Sequence, residues 1–259
     1  MTHRAFSKNA AGSRAIPIEK IIEGVEKNTV YPTWTKNQKG MQGEIITDEK
    51  LVEELNADIY FMRDWTIGEV KNLAQKGVHK QNANRYLEPF QHIKLICTAT
   101  NWDNFFTLRC HKDAQPEIQS LAGDIRHAMN ESKPKFLQPG QWHIPFEDFL
   151  PDNISVENKV KVSVARCARI SYNNFETNSI DVNKDIELYN RLVVQEPAHM
   201  SPAEHQARVP TERELEYFHS RYLTHEVGKY TYHVGKYISN LQGWIQYRKI
   251  IENGEHTNN

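Results

Sequence analysis

Apolar residues recur at helical spacing along the first third of the chain. Ile16, Ile18, Ile21, Ile22 and Val25 mark a short amphipathic helix with Pro17 in its first turn. A loop containing Gly, Asn and Lys follows from Asn28 to Glu44. Then Leu51, Leu55, Ile59, Met62, Val70 and Leu73 predict one long helix from about Asp48 to Lys76, with Gly77 as its stop. A further helical stretch carries Gln81 to Arg85 toward Pro89. Ile93, Leu95 and Cys97 alternate with polar residues as in a strand that leads to Thr98. Asp113 is placed to cap a helix with Pro116 near its first turn and Ile118, Leu121, Ile125 and Met129 as its apolar face.

The second half is less regular. Ser132 to Asn158 holds four prolines and little periodicity, which predicts a long loop. Val160 to Tyr172 is compatible with a helix, and Val182, Ile186, Tyr189 and Val193 define another helical face. Beyond Pro210 the chain is rich in tyrosine and histidine. No internal repeat or low-complexity tract is present. Together these elements predict an α+β fold, a mixed or antiparallel sheet flanked by helices, in a single domain over 1–259.

Composition narrows the function classes. A formal net charge of −1 over 259 residues excludes polyanion binding by bulk electrostatics, so any nucleotide site must be a local pocket. Cys97, Cys110 and Cys167 are odd in number, far apart and without a CxxC pair, which argues against a disulfide scaffold or a cysteine-rich zinc site. No apolar run has the length of a membrane span, and the N-terminal residues lack the apolar core of a signal peptide. A cytoplasmic protein is expected.

Candidate chemistry is densest at the start. Thr2-His3-Arg4, Ser7, Asn9, Gly12, Ser13 and Arg14 offer two guanidinium groups, an imidazole, hydroxyls, an amide and a close-approaching backbone. A phosphate-bearing ligand needs these groups, and a solvated polar N-terminus would also carry them. Asn101 to Arg109 reads as a half-buried helix bearing Asn104 and an arginine that pairs with an acidic neighbour. In Ala165 to Tyr172, Arg166 and Arg169 read as surface charges. Ser201-Pro202-Ala203-Glu204 has the flavour of a capping box, flanked by His199 and His205. A metal hydrolase built on those two histidines is a minor alternative, because a bare pair at that spacing is weak. From Tyr217 to Arg248, aromatics interleave with Arg221, Lys229, Lys236, Arg248 and the adjoining Lys249. This is either a β-rich element with its tyrosines packed or a surface for single-stranded nucleic acid.

Taken together, these clusters resemble the flavin-dependent thymidylate synthases. The family signature R-H-R-x-x-S-x-N-x-x-S-x-R is met by His3, Arg4, Ser7, Asn9 and Arg14, with Thr2 in place of its first arginine and Gly12 in place of its last serine. Asn104, Arg109 and Ala114-Gln115-x-Glu117-Ile118 resemble N-F-x-x-L-R-x4-A-Q-x-E-I. Arg85 with Pro89 resembles A-R-x-x-L-P, and Ala168-Arg169-Ile170-Ser171-Tyr172 resembles A-R-V-S-Y. His199 to His205 resembles H-x-S-P-F-E-H, with Ala203 for the aromatic. The order is rearranged: the last two motifs follow the signature instead of preceding it, as in a circular permutation. Residues 1–131 would then form a signature and helical half and 159–259 a permuted half. Family members carry a strand leading into the signature. Either residues upstream of Met1 supply it, or the run Gly243 to Arg248 fills its place.

The resemblance implies an enzyme that methylates dUMP to dTMP, with methylenetetrahydrofolate as carbon donor, NADPH as reductant and FAD as cofactor. It implies Arg109 as the catalytic arginine at the uracil, and Ser13, Arg14, Arg85 and Arg109 as dUMP-binding residues. It assigns His3, Arg4, Ser7, Asn9, Asn104, Ser171, His199, Ser201 and Glu204 to FAD, without a metal and without a cysteine nucleophile. It also implies a homotetramer with active sites between subunits, acting on small molecules and not on nucleic acid or membranes. Thr2, Ala10, Gly12 and Asp113 depart from the pattern. Losing the arginine at position 2 would weaken flavin or phosphate contacts by about 1–3 kcal/mol if nothing replaced it. A different pyrimidine nucleotide, a one-carbon product other than methyl, or a nucleotide-binding protein without catalysis are the alternatives.

Overall fold

Helices follow the apolar spacing closely. The structure is a computed structural model that describes residues 5–39, 42–172, 181–214 and 240–254. The chain divides into two compact units, residues 1–10, 94–101 and 135–259 in one and residues 11–93 and 102–134 in the other.

The second unit is helical. Helix α1 (Ile18–Lys27) buries Ile21, Ile22 and Val25, with Pro17 at its N-cap and not inside the first turn. Helix α2 (Glu49–Gln75) begins where Asp48 accepts a hydrogen bond from the Leu51 backbone N–H at 3.2 Å. It stops at Gly77, whose φ of +78° suits glycine. The short α3 (Lys80–Ala83) passes into a 3-10 turn, Asn84–Phe90, with Pro89 inside it. Ile16, Ile67, Val70 and Leu87 close a core with α1. Helices α4 (Asp103–Arg109) and α5 (Pro116–Glu131) complete the unit. Gln115, not Asp113, is the N-cap of α5. The chain turns earlier, where the Ala114 N–H donates to His111 O at 2.9 Å, and Asp113 lies beside the His111 ring.

The first unit holds both sheets, while the second has only an isolated antiparallel bridge between Thr35 and Ile45 among its described residues. Strands β1 (Ser7–Ala10) and β2 (Leu95–Thr98) form one antiparallel ladder, with Ser7 opposite Thr98 and Asn9 opposite Ile96. Strands β3 (Trp142–His143), β4 (Ala207–Arg208) and β5 (Ile245–Gln246) form a second, also antiparallel. The expected sheet flanked by helices is thus two small antiparallel sheets among the described residues. Its proline-rich loop contains β3 and a 3-10 turn at Glu147–Phe149. Ser155 caps α6 (Val156–Arg169), which starts earlier than its apolar run and continues as a 3-10 turn, Ile170–Tyr172. Helix α7 (Val182–Tyr189) widens into a π-turn, Asn190–Val194, and α8 spans Tyr247–Glu252. Val160, Val164, Tyr189, Ile245 and Ile250 form the core here. Among the described residues, no helix is long and apolar enough to cross a membrane.

Candidate functional site

Strand β1 buries its polar side chains. Ser7 and Asn9 are buried while Lys8 between them is exposed, the usual alternation of a strand but with polar side chains at the inward positions. Buried polar groups need partners, and those of Ser7 come from the far end of the chain. Its hydroxyl accepts from Asn240 Nδ2 at 2.9 Å and faces Gln246 Nε2 at 3.4 Å. Asn9 Nδ2 makes a long contact of 3.5 Å with the Cys167 carbonyl. Strand β1 also packs against the 170–172 and 201–204 turns. The first unit therefore brings together Ser7, Asn9, Ser171, Ser201 and Glu204, from three motifs widely separated in sequence. His199 belongs to the same unit, is exposed, and is tied by its backbone N–H to Leu192 O at 2.6 Å. His3 and Arg4 lie outside the described residues, as does most of the aromatic and basic run from Tyr217.

Two expectations for this unit change. Ser201–Glu204 is a 3-10 turn with no side-chain cap, because the Glu204 carboxylate pairs with Arg248 instead of the backbone. Arg166 and Arg169 are not surface charges. Arg166 is buried, and Arg169 Nε donates at 2.6 Å to Asp185, a carboxylate with 1% of its side chain exposed.

The electrostatics of the cluster follow from burial. His205 Nδ1 lies 2.9 Å from Thr98 Oγ1, while its Nε2 is buried with no hydrogen-bond partner. Burial, with a smaller repulsion from His143, pushes its pKa down to about 4, so the ring is neutral near pH 7. Gln246 Oε1 is likewise buried and without a partner. Burial pushes the Cys167 thiol up to about 12, which keeps it protonated and makes it a poor nucleophile. No group of three or more His, Cys, Asp or Glu among the described residues could hold a metal ion.

The hydroxyls, carboxylate and orphaned ring and amide atoms suit a ligand rich in hydroxyls and ring heteroatoms. A flavin nucleotide is such a ligand, and the residues present fit it.

The second unit presents the other predicted residues differently. Ser13 lies in a turn closed by Ala15 N–H to Gly12 O at 3.1 Å. Asn84 Nδ2 pins that turn by donating to Ser13 O at 2.8 Å and Ile16 O at 2.9 Å, and Lys80 Nζ donates to Ala15 O at 2.9 Å. The turn that carries Arg14 is thereby held to the 3-10 turn that carries Arg85. Arg14, Arg85, Asn104 and Arg109 are all exposed. Among the described residues, none of the three arginines enters an ion pair, so Arg109 lacks the acidic partner expected of it. Asn104 and Arg109 share α4 but no hydrogen bond joins them.

Asn84 and Gln246 are the organising residues that sequence reasoning missed. Each is fully buried and bridges backbone or side-chain groups remote in sequence. Their only sequence signal is proximity, Asn84 to Arg85 and Gln246 to Arg248.

No curated protein and no solved structure matches this chain. The sequence model of the thymidylate synthase complementing protein family matches residues 8–135. That stretch holds Ser13, Arg14, Arg85, Asn104 and Arg109, whereas the Ser171 and His199–Glu204 motifs lie beyond it. Residues 8–135, just under half of the chain, are thus similar to the thymidylate synthase complementing protein family.

Proposed function

We propose that this protein is a flavin-dependent thymidylate synthase that converts dUMP to dTMP, drawing a methylene group from methylenetetrahydrofolate and reducing equivalents from NADPH. One observation carries the reading. β1, the 170–172 turn and the 201–204 turn come from separate motifs, yet they pack together around buried hydroxyl and amide groups. A structural strand has no need of that arrangement.

FAD would supply the redox chemistry, held by Ser7, Asn9, Ser171, His199, Ser201 and Glu204, with Asn104, His3 and Arg4 completing the set. Arg14 and Arg85 offer charge-assisted hydrogen bonds to the nucleotide phosphate, and the pinned Ser13 turn holds them in register. Arg109 donates to the uracil carbonyl and stabilises the charge that develops there as C5 becomes nucleophilic. Neutral His205 and protonated Cys167 take no covalent part. The protein works as a cytoplasmic homo-oligomer whose active sites join groups from neighbouring subunits. The chain is circularly permuted, and the bonds from Asn240 and Gln246 to Ser7 support this, since permutation requires the two ends to meet.

Release of tritium from C5-labelled dUMP tests the proposal. Flavin-loaded protein should release label in the presence of methylenetetrahydrofolate and NADPH. A flavin-loaded preparation that releases none would retire the synthase reading and leave a flavoprotein.

A further inference from the structure

Glu204 is gripped from two sides by one C-terminal segment. Gln246 Nε2 donates to the Glu204 backbone carbonyl at 2.9 Å and to Asn240 Oδ1 at 3.0 Å, which fixes the peptide. Arg248 Nη1 donates to Glu204 Oε1, which fixes the carboxylate. The arginine is itself braced, because its Nε donates to Glu252 Oε1 at 2.6 Å one turn along α8. The other oxygen of Glu252 is taken by Lys249 Nζ at 2.7 Å. One arm of the guanidinium is therefore anchored in α8 and the other is aimed at Glu204. Glu204 Oε2 has no protein partner among the described residues. An exposed surface pair needs no such second anchor, and this one is partly buried, with side-chain exposures of 35% for Arg248 and 24% for Glu204.

We propose that Arg248 is a positioning residue that locks the Glu204 carboxylate so that only Oε2 is offered to a hydroxyl or ring N–H of the flavin nucleotide. This rests on the flavin reading above. A free carboxylate would rotate and present either oxygen. A planar guanidinium fork held at both ends removes that freedom before ligand arrives.

The test is FAD titration followed by flavin fluorescence on the full chain, with thermal melts confirming that each variant folds. Relative to wild type, Arg248→Met should weaken FAD about tenfold or more. Arg248→Lys and Arg248→Gln, which keep a donor, should recover part of that loss. Glu204→Gln should weaken FAD by itself, and adding Arg248→Met to it should cost nothing further. That non-additivity separates positioning through Glu204 from a general structural role. Wild-type affinity in Arg248→Met, an additive loss in the double variant, or an unaffected Glu204→Gln overturns the proposal while sparing the flavin reading. If Arg248→Met does not fold, wild-type affinity in both donor-keeping variants and in Glu204→Gln has the same consequence. Failure of the wild-type protein to bind FAD overturns both.

Discussion

The two units treat their motif residues in opposite ways. In the first, Ser7, Asn9 and Glu204 are buried or braced, Ser7 and Asn9 by groups more than 150 residues away and Glu204 by groups 42 and 44 residues away. In the second, Arg14, Arg85 and Arg109 stand exposed without ion pairs, although the turn beneath Arg14 is firmly pinned. The first arrangement is pre-organised, so its side chains contribute to folding whether or not ligand is present. The second withholds its cations from the protein and leaves their hydrogen-bonding capacity for an anion. Substitutions should therefore separate into those that alter stability and those that alter turnover.

Arg109→Ala should show the largest separation. Turnover in the tritium assay is expected to fall about a thousandfold, in line with removing a donor to developing charge. The melting temperature should stay unchanged, because no described partner is lost. A matching loss of stability would mean that Arg109 belongs with the braced residues of the first unit.

Acid should act on the first unit. The His205 pKa is lowered from 6.5 to about 4 in the fold. As pH falls, the unfolded chain takes up this proton first. The stability from a neutral His205 is thus complete above pH 6.5 and lost on the way to pH 4, for a total of ~3 kcal/mol. His143, also lowered by burial, adds in the same direction. Urea unfolding at pH 7 and pH 4 measures the loss, and His205→Gln should flatten it. An equally steep slope in that variant would place the acid sensitivity elsewhere.

Asn84→Ala gives a smaller effect that blurs the division. It strips two backbone carbonyls of their donor, at a cost of about 1–3 kcal/mol. It also loosens the Ser13 turn, so the KM for dUMP should rise with little change in kcat. An unchanged KM would mean that the pinned turn has no part in phosphate recognition.

How much of this the sequence disclosed depended on whether a residue's role is local. Helix α2 was legible to within a residue at each end, because apolar spacing, Asp48 and Gly77 act over a few positions. The cap of α5 was misplaced by two residues, since Asp113 and Gln115 both precede Pro116 and only the turn at Ala114 distinguishes them. The buried state of Arg166 was hidden because an arginine near a helix end has the same pattern whether it faces solvent or a carboxylate. Strand β5 and the roles of Gln246 and Arg248 depend on partners some forty residues away or more, and no local periodicity encodes those.

The bonds of Ser7 bear on the order in which the molecule is assembled. Its partners Asn240 and Gln246 lie 233 and 239 positions downstream, and the contact of Asn9 spans 158. A two-stranded ribbon of four-residue strands is marginal alone, and closing loops of that size delays the contacts that would secure it. The Ser7 hydroxyl can be fastened only after residues 240–246 have been made. Chains halted short of residue 240 will therefore leave the Ser7 hydroxyl without these partners, even where β1 has paired with β2.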